Sequence, residues 1–116
     1  MQSKSEIPEA QYRLWVQAAL DRIEKSFEQV DPDIAECEQS MGALSIMIHG
    51  HGKCILSGQP SVRQLWLALA SQGIAYHFDF DLQRQVWVDD RGQGVELMSF
   101  LQKFLDETVK VRVSLK

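Results

Sequence analysis

A chain of 116 residues with 45% hydrophobic and 24% charged residues has the size and composition of one globular domain, residues 1–116, with its own hydrophobic core. It has no apolar run near the ~20 residues of a membrane span, no N-terminal signal or transit pattern and only two cysteines, so we expect a cytoplasmic protein without membrane contact or disulfide framework. The net charge of −4 is concentrated in residues 1–40, which hold nine acids and four bases, and this negative field argues against a nucleic-acid partner.

The first predicted element is a helix of about 20 residues that begins near Pro8 and ends at Asp31 and Pro32. Its apolar residues recur at steps of three and four, which predicts one buried stripe. The stripe consists of Tyr12, Trp15, Val16, Ala19, Leu20, Ile23 and Phe27. Acidic residues follow a second line down the last turns and continue beyond the helix.

These acids define a candidate metal site that we call the acidic ridge. Its members are Asp21, Glu24, Glu28, Asp31, Asp33, Glu36 and Glu38. Carboxylates are hard oxygen ligands that suit hard cations such as Ca²⁺, Mn²⁺ or ferric iron. Because no histidine lies near them in the sequence, we expect weak, exposed and unselective metal binding. The alternative is a solvated acidic face without a ligand.

Six short strands are predicted after the helix, separated by turn signals. They cover residues 34–38, 43–48, 53–56, 64–69, 76–80 and 85–88. The turn between the second and third strands contains His49 and His51, which either bind a soft-to-borderline metal or simply belong to the turn. His77 shares a strand face with Asp79, where it is either a cation ligand or a plain surface histidine.

The strand 64–69 alternates between two kinds of side chain. Its three leucines point to one side, whereas Gln64 and Trp66 point to the other. The leucine side is expected to face the core. Whether Trp66 is exposed depends on what covers the opposite side, since tryptophan is usually mostly buried.

Apolar residues at helical spacing predict a last helix over residues 95–107. Residues 109–115 alternate like a strand, and both an edge strand and an extended tail on the helices remain open. A helix, about six antiparallel strands and a second helix predict an α+β fold, a two-layer sandwich with both helices on one face of the sheet. This layering leaves the other face in water and favours an exposed Trp66.

Three segments together resemble the frataxin family, particularly its bacterial members, over about residues 12–107. Gln59-Pro60 followed by Arg63–Ala68 is similar to the family segment QxP-x-x-x-Q-[IV]-W-L-[AS]. Residues 76–79, YHFD, resemble a run of the bacterial members, and Trp87 with residues 90–92 resembles the segment before the last helix. The chain departs from the family at Ser57, where many members have asparagine, and at three non-acidic residues within its ridge.

The resemblance implies that the cation of the acidic ridge is iron, as Fe²⁺ or Fe³⁺, bound weakly and reversibly. It also implies that the ridge docks against arginines of a cysteine desulfurase. A sheet-face patch would contact the complex of the desulfurase and the iron–sulfur scaffold, with Trp66 as its hot spot. The members of this patch are Ser57, Gln59, Gln64 and Trp66.

The favoured hypothesis is a monomeric, non-enzymatic adaptor that binds iron and regulates iron–sulfur cluster assembly. One alternative is a ferroxidase, in which the ridge binds Fe²⁺ and stabilises Fe³⁺. Another is an interaction module unrelated to iron that uses only Trp66. The sequence contains no P-loop, dinucleotide-binding glycine pattern, HExxH or GxSxG motif.

Overall fold

The computed structural model describes residues 7–109 and residue 115, and it has two layers, one of helices and one of sheet. The helices are α1 (Glu9–Ser26) and α2 (Leu97–Thr108). The strands are β1 (Ala35–Ser40), β2 (Ala43–Ile48), β3 (Gly52–Gln59), β4 (Gln64–Leu69), β5 (Ile74–Asp81) and β6 (Val86–Asp89). The strands form one antiparallel sheet in sequential order, β1 to β6, which confirms the predicted fold class. Most of the predicted strand or tail at 109–115 lies outside the described residues.

The hydrophobic core lies between the two helices and the leucine side of the sheet. The three leucines of β4 are at most 1% exposed, as the alternation predicts. From the helix layer, Leu20 and Ile23 of α1 and Leu101 of α2 are fully buried in the same cluster. Neither described helix is long and apolar enough to cross a lipid bilayer.

Helix α1 ends earlier than predicted. It stops at Ser26, and residues 27–29 continue only as a turn. The hydroxyl of Ser26 donates a hydrogen bond to the carbonyl of Ile23 at 2.6 Å, a local bond that competes with regular helix geometry. The last acids of the ridge, from Glu28 onward, therefore lie on turns and on β1 rather than on α1.

Strand β3 continues through Gly58, where the sequence predicted a break. A Cβ atom at this position would lie 3.2 Å from the Tyr12 hydroxyl and 3.4 Å from a methyl group of Val16. The glycine therefore lets α1 pack close to the backbone of β3. Its amide also donates a hydrogen bond to the carbonyl of Gly42 at 3.0 Å.

The loop between β6 and α2 is organised by the buried carboxylate of Asp89. This carboxylate accepts hydrogen bonds from the amides of Val95 at 2.8 Å, and of Arg91 and Gln93 at 3.2 Å each. The helix then begins at Leu97, two residues later than predicted. Glu96 takes the N-cap position, and its carboxylate accepts hydrogen bonds from the amides of the first turn.

Candidate functional site

The sheet face opposite the helices carries most of the predicted partner-binding residues. Strand register places Ser57 across from Trp66, and Gln59 across from Gln64. Ser57, Gln59 and Trp66 are half-buried, and Gln59 Nε2 lies 3.4 Å from Ser57 Oγ. These three residues therefore form one surface patch across β3 and β4, and Gln64 lies beside them in the same register.

Trp66 lies on this helix-free face, but its indole ring is packed along the sheet and does not project into water. The ring stacks on the imidazole of His77, with centroids 4.2 Å apart and an interplanar angle of 14°. Its Nε1 donates a hydrogen bond to Gln64 Oε1 at 2.8 Å. Both contacts fix the orientation of the indole, and Trp66 remains half-buried.

The expectation that Gln64 belongs to an exposed patch is wrong, because its side chain is buried, with 4% of the residue exposed. Gln64 Nε2 donates hydrogen bonds to Asp79 Oδ1 at 3.1 Å and to Asp90 Oδ2 at 3.0 Å. Its Oε1 accepts the bond from the Trp66 indole. The Gln64 amide therefore positions the Trp66 indole through a hydrogen bond and offers little surface to a partner.

His77 has packing partners that the sequence did not reveal. Besides stacking on Trp66, its Nδ1 lies 3.8 Å from Asp90 Oδ2. The amide of Asp90 also donates a hydrogen bond to the carbonyl of His77 at 2.8 Å. His77 is therefore more than a plain surface histidine: it forms part of the support of Trp66.

The acidic ridge runs from the C-terminal half of α1 to the β1 edge of the sheet. Six of its seven residues are exposed, and Glu24 is half-buried. Gln39 on β1 joins this strand to the α1 part of the ridge, since its Nε2 donates hydrogen bonds to Asp21 Oδ1 at 3.2 Å and to Glu24 Oε1 at 3.1 Å. Farther along, Asp31 Oδ1 accepts a hydrogen bond from the amide of Asp33 at 2.9 Å.

Among the described residues, the ridge carboxylates form no ion pair with lysine or arginine. Within residues 7–109 and 115, no side-chain nitrogen of either type lies within 4.0 Å of a ridge carboxylate. The nearest cationic candidate is His49, whose Nε2 lies 3.3 Å from Glu36 Oε2. In the same part of the chain, no three His, Cys, Asp or Glu side chains converge on one metal position. The ridge thus offers separate oxygen donors, a donor type that suits hard cations such as ferric iron.

Both cysteine thiols lie on the helix side of the sheet, Cys54 buried and Cys37 half-buried. Desolvation, together with the nearby charge of Glu24, raises the pKa of Cys37 to about 12. Burial raises the pKa of Cys54 to about 11. Both groups are therefore protonated at neutral pH, which disfavours nucleophilic or metal-ligating roles.

Sequence comparison identifies the family of which these features are typical. A model of the frataxin-like domain matches residues 5–111. A protein of Stutzerimonas stutzeri named iron-sulfur cluster assembly protein CyaY is 35% identical over 101 residues, or 87% of this chain and 88% of that protein. A protein of the same name from Pseudomonas syringae pv. syringae is 35% identical over 107 residues, or 92% and 94% of the two chains.

Solved structures show the same fold. Frataxin from Psychromonas ingrahamii superposes with a TM-score of 0.81 at 23% identity, covering 95% of this chain and 99% of that one. A trimeric frataxin from Saccharomyces cerevisiae, complexed with ferrous iron, gives a TM-score of 0.67 at 24% identity, covering 96% and 94%.

Proposed function

Because the chain belongs to the frataxin family, we propose that it is an iron-binding adaptor that regulates iron–sulfur cluster assembly in the bacterial cytoplasm. Relatives that share 35% of its sequence are named for this assembly process. In this proposal the protein acts as a monomer, binds Fe²⁺ or Fe³⁺ weakly at the acidic ridge and docks on a cysteine desulfurase. The desulfurase in turn holds the iron–sulfur scaffold.

The observation that carries the proposal is the unneutralised charge of the acidic ridge. Its carboxylates have no lysine or arginine partner in the described part of the chain, and six of the seven residues are exposed. Neighbouring carboxylates without a lysine or arginine partner repel one another, so binding a cation or a basic protein surface relieves that repulsion. Iron and desulfurase arginines would therefore use the same charges, and each would change the affinity for the other.

The Trp66 patch supplies the second half of the proposed docking surface. Its indole is already held by His77 and Gln64, so a partner need not order it on binding. A preorganised aromatic side chain surrounded by polar groups has the character of an interface hot spot. We propose that Ser57 and Gln59 contact the partner beside it, whereas Gln64 acts by positioning Trp66.

Iron binding is tested by an anaerobic Fe²⁺ titration of ¹⁵N-labelled protein. We expect paramagnetic broadening of amide signals to be confined to residues 21–38. Broadening centred elsewhere would exclude the ridge as the iron site. If adding oxygen causes saturable oxygen consumption that Glu24→Gln with Glu28→Gln abolishes, the ferroxidase alternative is favoured instead.

Docking is tested by capture of a purified cysteine desulfurase. We expect both the double change Glu24→Gln with Glu28→Gln and the single change Trp66→Ala to weaken capture. The matched control is Asp106→Asn with Glu107→Gln, which removes the same charge from exposed positions of α2. If only Trp66→Ala weakens capture, the protein is an interaction module independent of the ridge, and if neither change does, the adaptor hypothesis is wrong.

A further inference from the structure

The β1–β2 hairpin carries an imidazole and a carboxylate in direct contact at the edge of the sheet. His49 Nε2 lies 3.3 Å from Glu36 Oε2. Glu36 pairs with Met47 across the two strands, and His49 is two residues beyond Met47, so His49 is the diagonal neighbour of Glu36 on the same face. The amide of His49 donates a hydrogen bond to the carbonyl of Ile34 at 3.0 Å, which extends the ladder past the end of β2.

We infer that His49 and Glu36 form a two-ligand chelate for a borderline divalent cation such as Zn²⁺ or Co²⁺. Metal–nitrogen and metal–oxygen bonds of about 2.0–2.2 Å at angles between tetrahedral and octahedral values require donor atoms about 2.9–3.4 Å apart. The two donor atoms are already 3.3 Å apart, so a metal ion can replace their contact without backbone movement. The antiparallel pairing of β1 with β2, extended by the His49–Ile34 hydrogen bond, holds the two backbones that carry these side chains in register.

The surroundings of the pair allow metal entry and limit affinity. The side chains of His49 and Glu36 are 46% and 58% exposed, so the ion is accessible and water can complete its coordination. Glu38 and Met47 line the same surface depression but do not converge with the pair on one metal position, so solvent supplies the remaining ligands. Lys53 lines it as well, and its ammonium group opposes a bound cation.

The imidazole distinguishes this site from the rest of the acidic ridge. Oxygen donors alone favour hard cations, whereas an imidazole beside a carboxylate suits Zn²⁺ and other borderline ions. The turn suggested His49 and His51 as a pair of metal ligands. In the structure, the partner of His49 is Glu36. His51 is exposed, and its side chain has no hydrogen bond or ion pair within the described ranges. The inference requires neither iron nor a desulfurase.

The test is a titration with Zn²⁺ alone, followed by long-range ¹H–¹⁵N NMR of the imidazole rings. The chain has three histidines, so two of them serve as internal controls. We expect the ring nitrogens of His49 to shift first, while those of His51 and His77 stay unchanged. His49→Asn and Glu36→Gln should each weaken Zn²⁺ binding about tenfold or more, whereas His51→Asn should leave it unchanged.

Three outcomes would overturn the inference. His49 and His51 could shift together and lose Zn²⁺ with either substitution, which would indicate a site at the turn. His77 could shift first, or none of the rings could respond at metal concentrations that saturate the acidic ridge. The Fe²⁺ titration separates this inference from the proposed function. Broadening at residues 21–33 that persists in His49→Asn supports the ridge, whatever happens with Zn²⁺.

Discussion

At the residue scale, the Gln64 amide connects groups from three strands or their ends. It accepts from the Trp66 indole and donates to the carboxylates of Asp79 and Asp90. Replacing Gln64 with an apolar residue removes the hydrogen bonds that its amide nitrogen donates to the two carboxylates. It also removes the oxygen that accepts the hydrogen bond of the indole. We expect Gln64→Leu to lower the free energy of unfolding by about 1–3 kcal/mol, measured by urea denaturation.

The matched control for this change is Gln59→Leu, in the neighbouring strand. Gln59 is half-buried and makes one long hydrogen bond to Ser57, at 3.4 Å. Its substitution should change stability by less than about 0.5 kcal/mol, as is usual for side chains without buried partners. Equal losses for the two variants would mean that the buried network of Gln64 contributes nothing specific.

The carboxylate of Asp89 makes stability depend on acidity. Desolvation alone would raise its pKa, but the amides of Val95, Gln93 and Arg91 and the charge of Arg91 outweigh it and lower the pKa below the ordinary value of 3.8. The ionised form is therefore bound more strongly in the folded state. Its stabilising contribution is complete well above pH 3.8 and is lost as the pH falls through the lowered pKa of the folded state.

We therefore expect Asp89→Asn to be less stable than the parent protein at pH 7, because the neutral amide is a weaker acceptor for three backbone amides. The difference in thermal midpoint should shrink as the pH is lowered below 3.8. Asp106→Asn is the control, since this exposed carboxylate accepts one bond from a side chain on its own helix. A difference between Asp89→Asn and the parent that is independent of pH would contradict the linkage.

At the scale of elements, the predictions succeed where the signals are local. Strands β2 and β4 begin and end at the predicted residues, because alternation and flanking turns define them. Strand β3 is longer than predicted. By local sequence rules Gly58 should end the strand, but in the structure the strand continues through it and the glycine lets α1 pack closely. Helix α2 begins later than predicted because Glu96 is its N-cap residue. Glu96 also forms an isolated β-bridge with Val88, a contact that helical periodicity does not predict.

The apolar stripe of α1 predicts which side chains hold the helix on the sheet. Leu20 is fully buried, whereas Leu14 on the same helix is 65% exposed. We expect Leu20→Ala to lower the free energy of unfolding by about 2–5 kcal/mol, since it removes buried methyl groups and leaves a cavity. Leu14→Ala should have an effect within about 0.5 kcal/mol. Chemical denaturation of both variants checks this, and equal effects would contradict the assigned orientation of α1.

At the scale of the whole molecule, sheet register decides which candidate residues meet. The position of Trp66 on the helix-free face follows from alternation alone. The burial of Gln64 does not, because its partners Asp79 and Asp90 lie 15 and 26 residues away and reach it only through the pairing of β4 to β6. The contact of His49 with Glu36, in contrast, can be predicted from the sequence. The Met41-Gly42 turn sets Ser40 opposite Ala43, and counting outward brings the two side chains together.

The two proposed docking regions are well separated: the acidic ridge runs from α1 to the β1 edge of the sheet, and the Trp66 patch lies on β3 and β4. Gln39 ties Glu24 to β1, whereas Trp66 is on β4. Three strand spacings of about 4.8 Å place them about 14 Å apart. Substitutions more than about 7–10 Å apart that share no partner usually have additive effects on free energy. A desulfurase that contacts both regions should therefore respond to each independently.

We expect the combination of Trp66→Ala with Glu24→Gln and Glu28→Gln to weaken desulfurase binding by the product of the separate effects. If each region alone costs tenfold in Kd, the combined variant should lose about a hundredfold, or about 2.8 kcal/mol. Binding measured by calorimetry at low and high salt adds a second check, because the ridge contribution should shrink with ionic strength while that of Trp66 persists. A combined variant that binds no more weakly than the weaker of the two single-region variants would contradict this independence and mean that losing one region already disrupts the contact of the other.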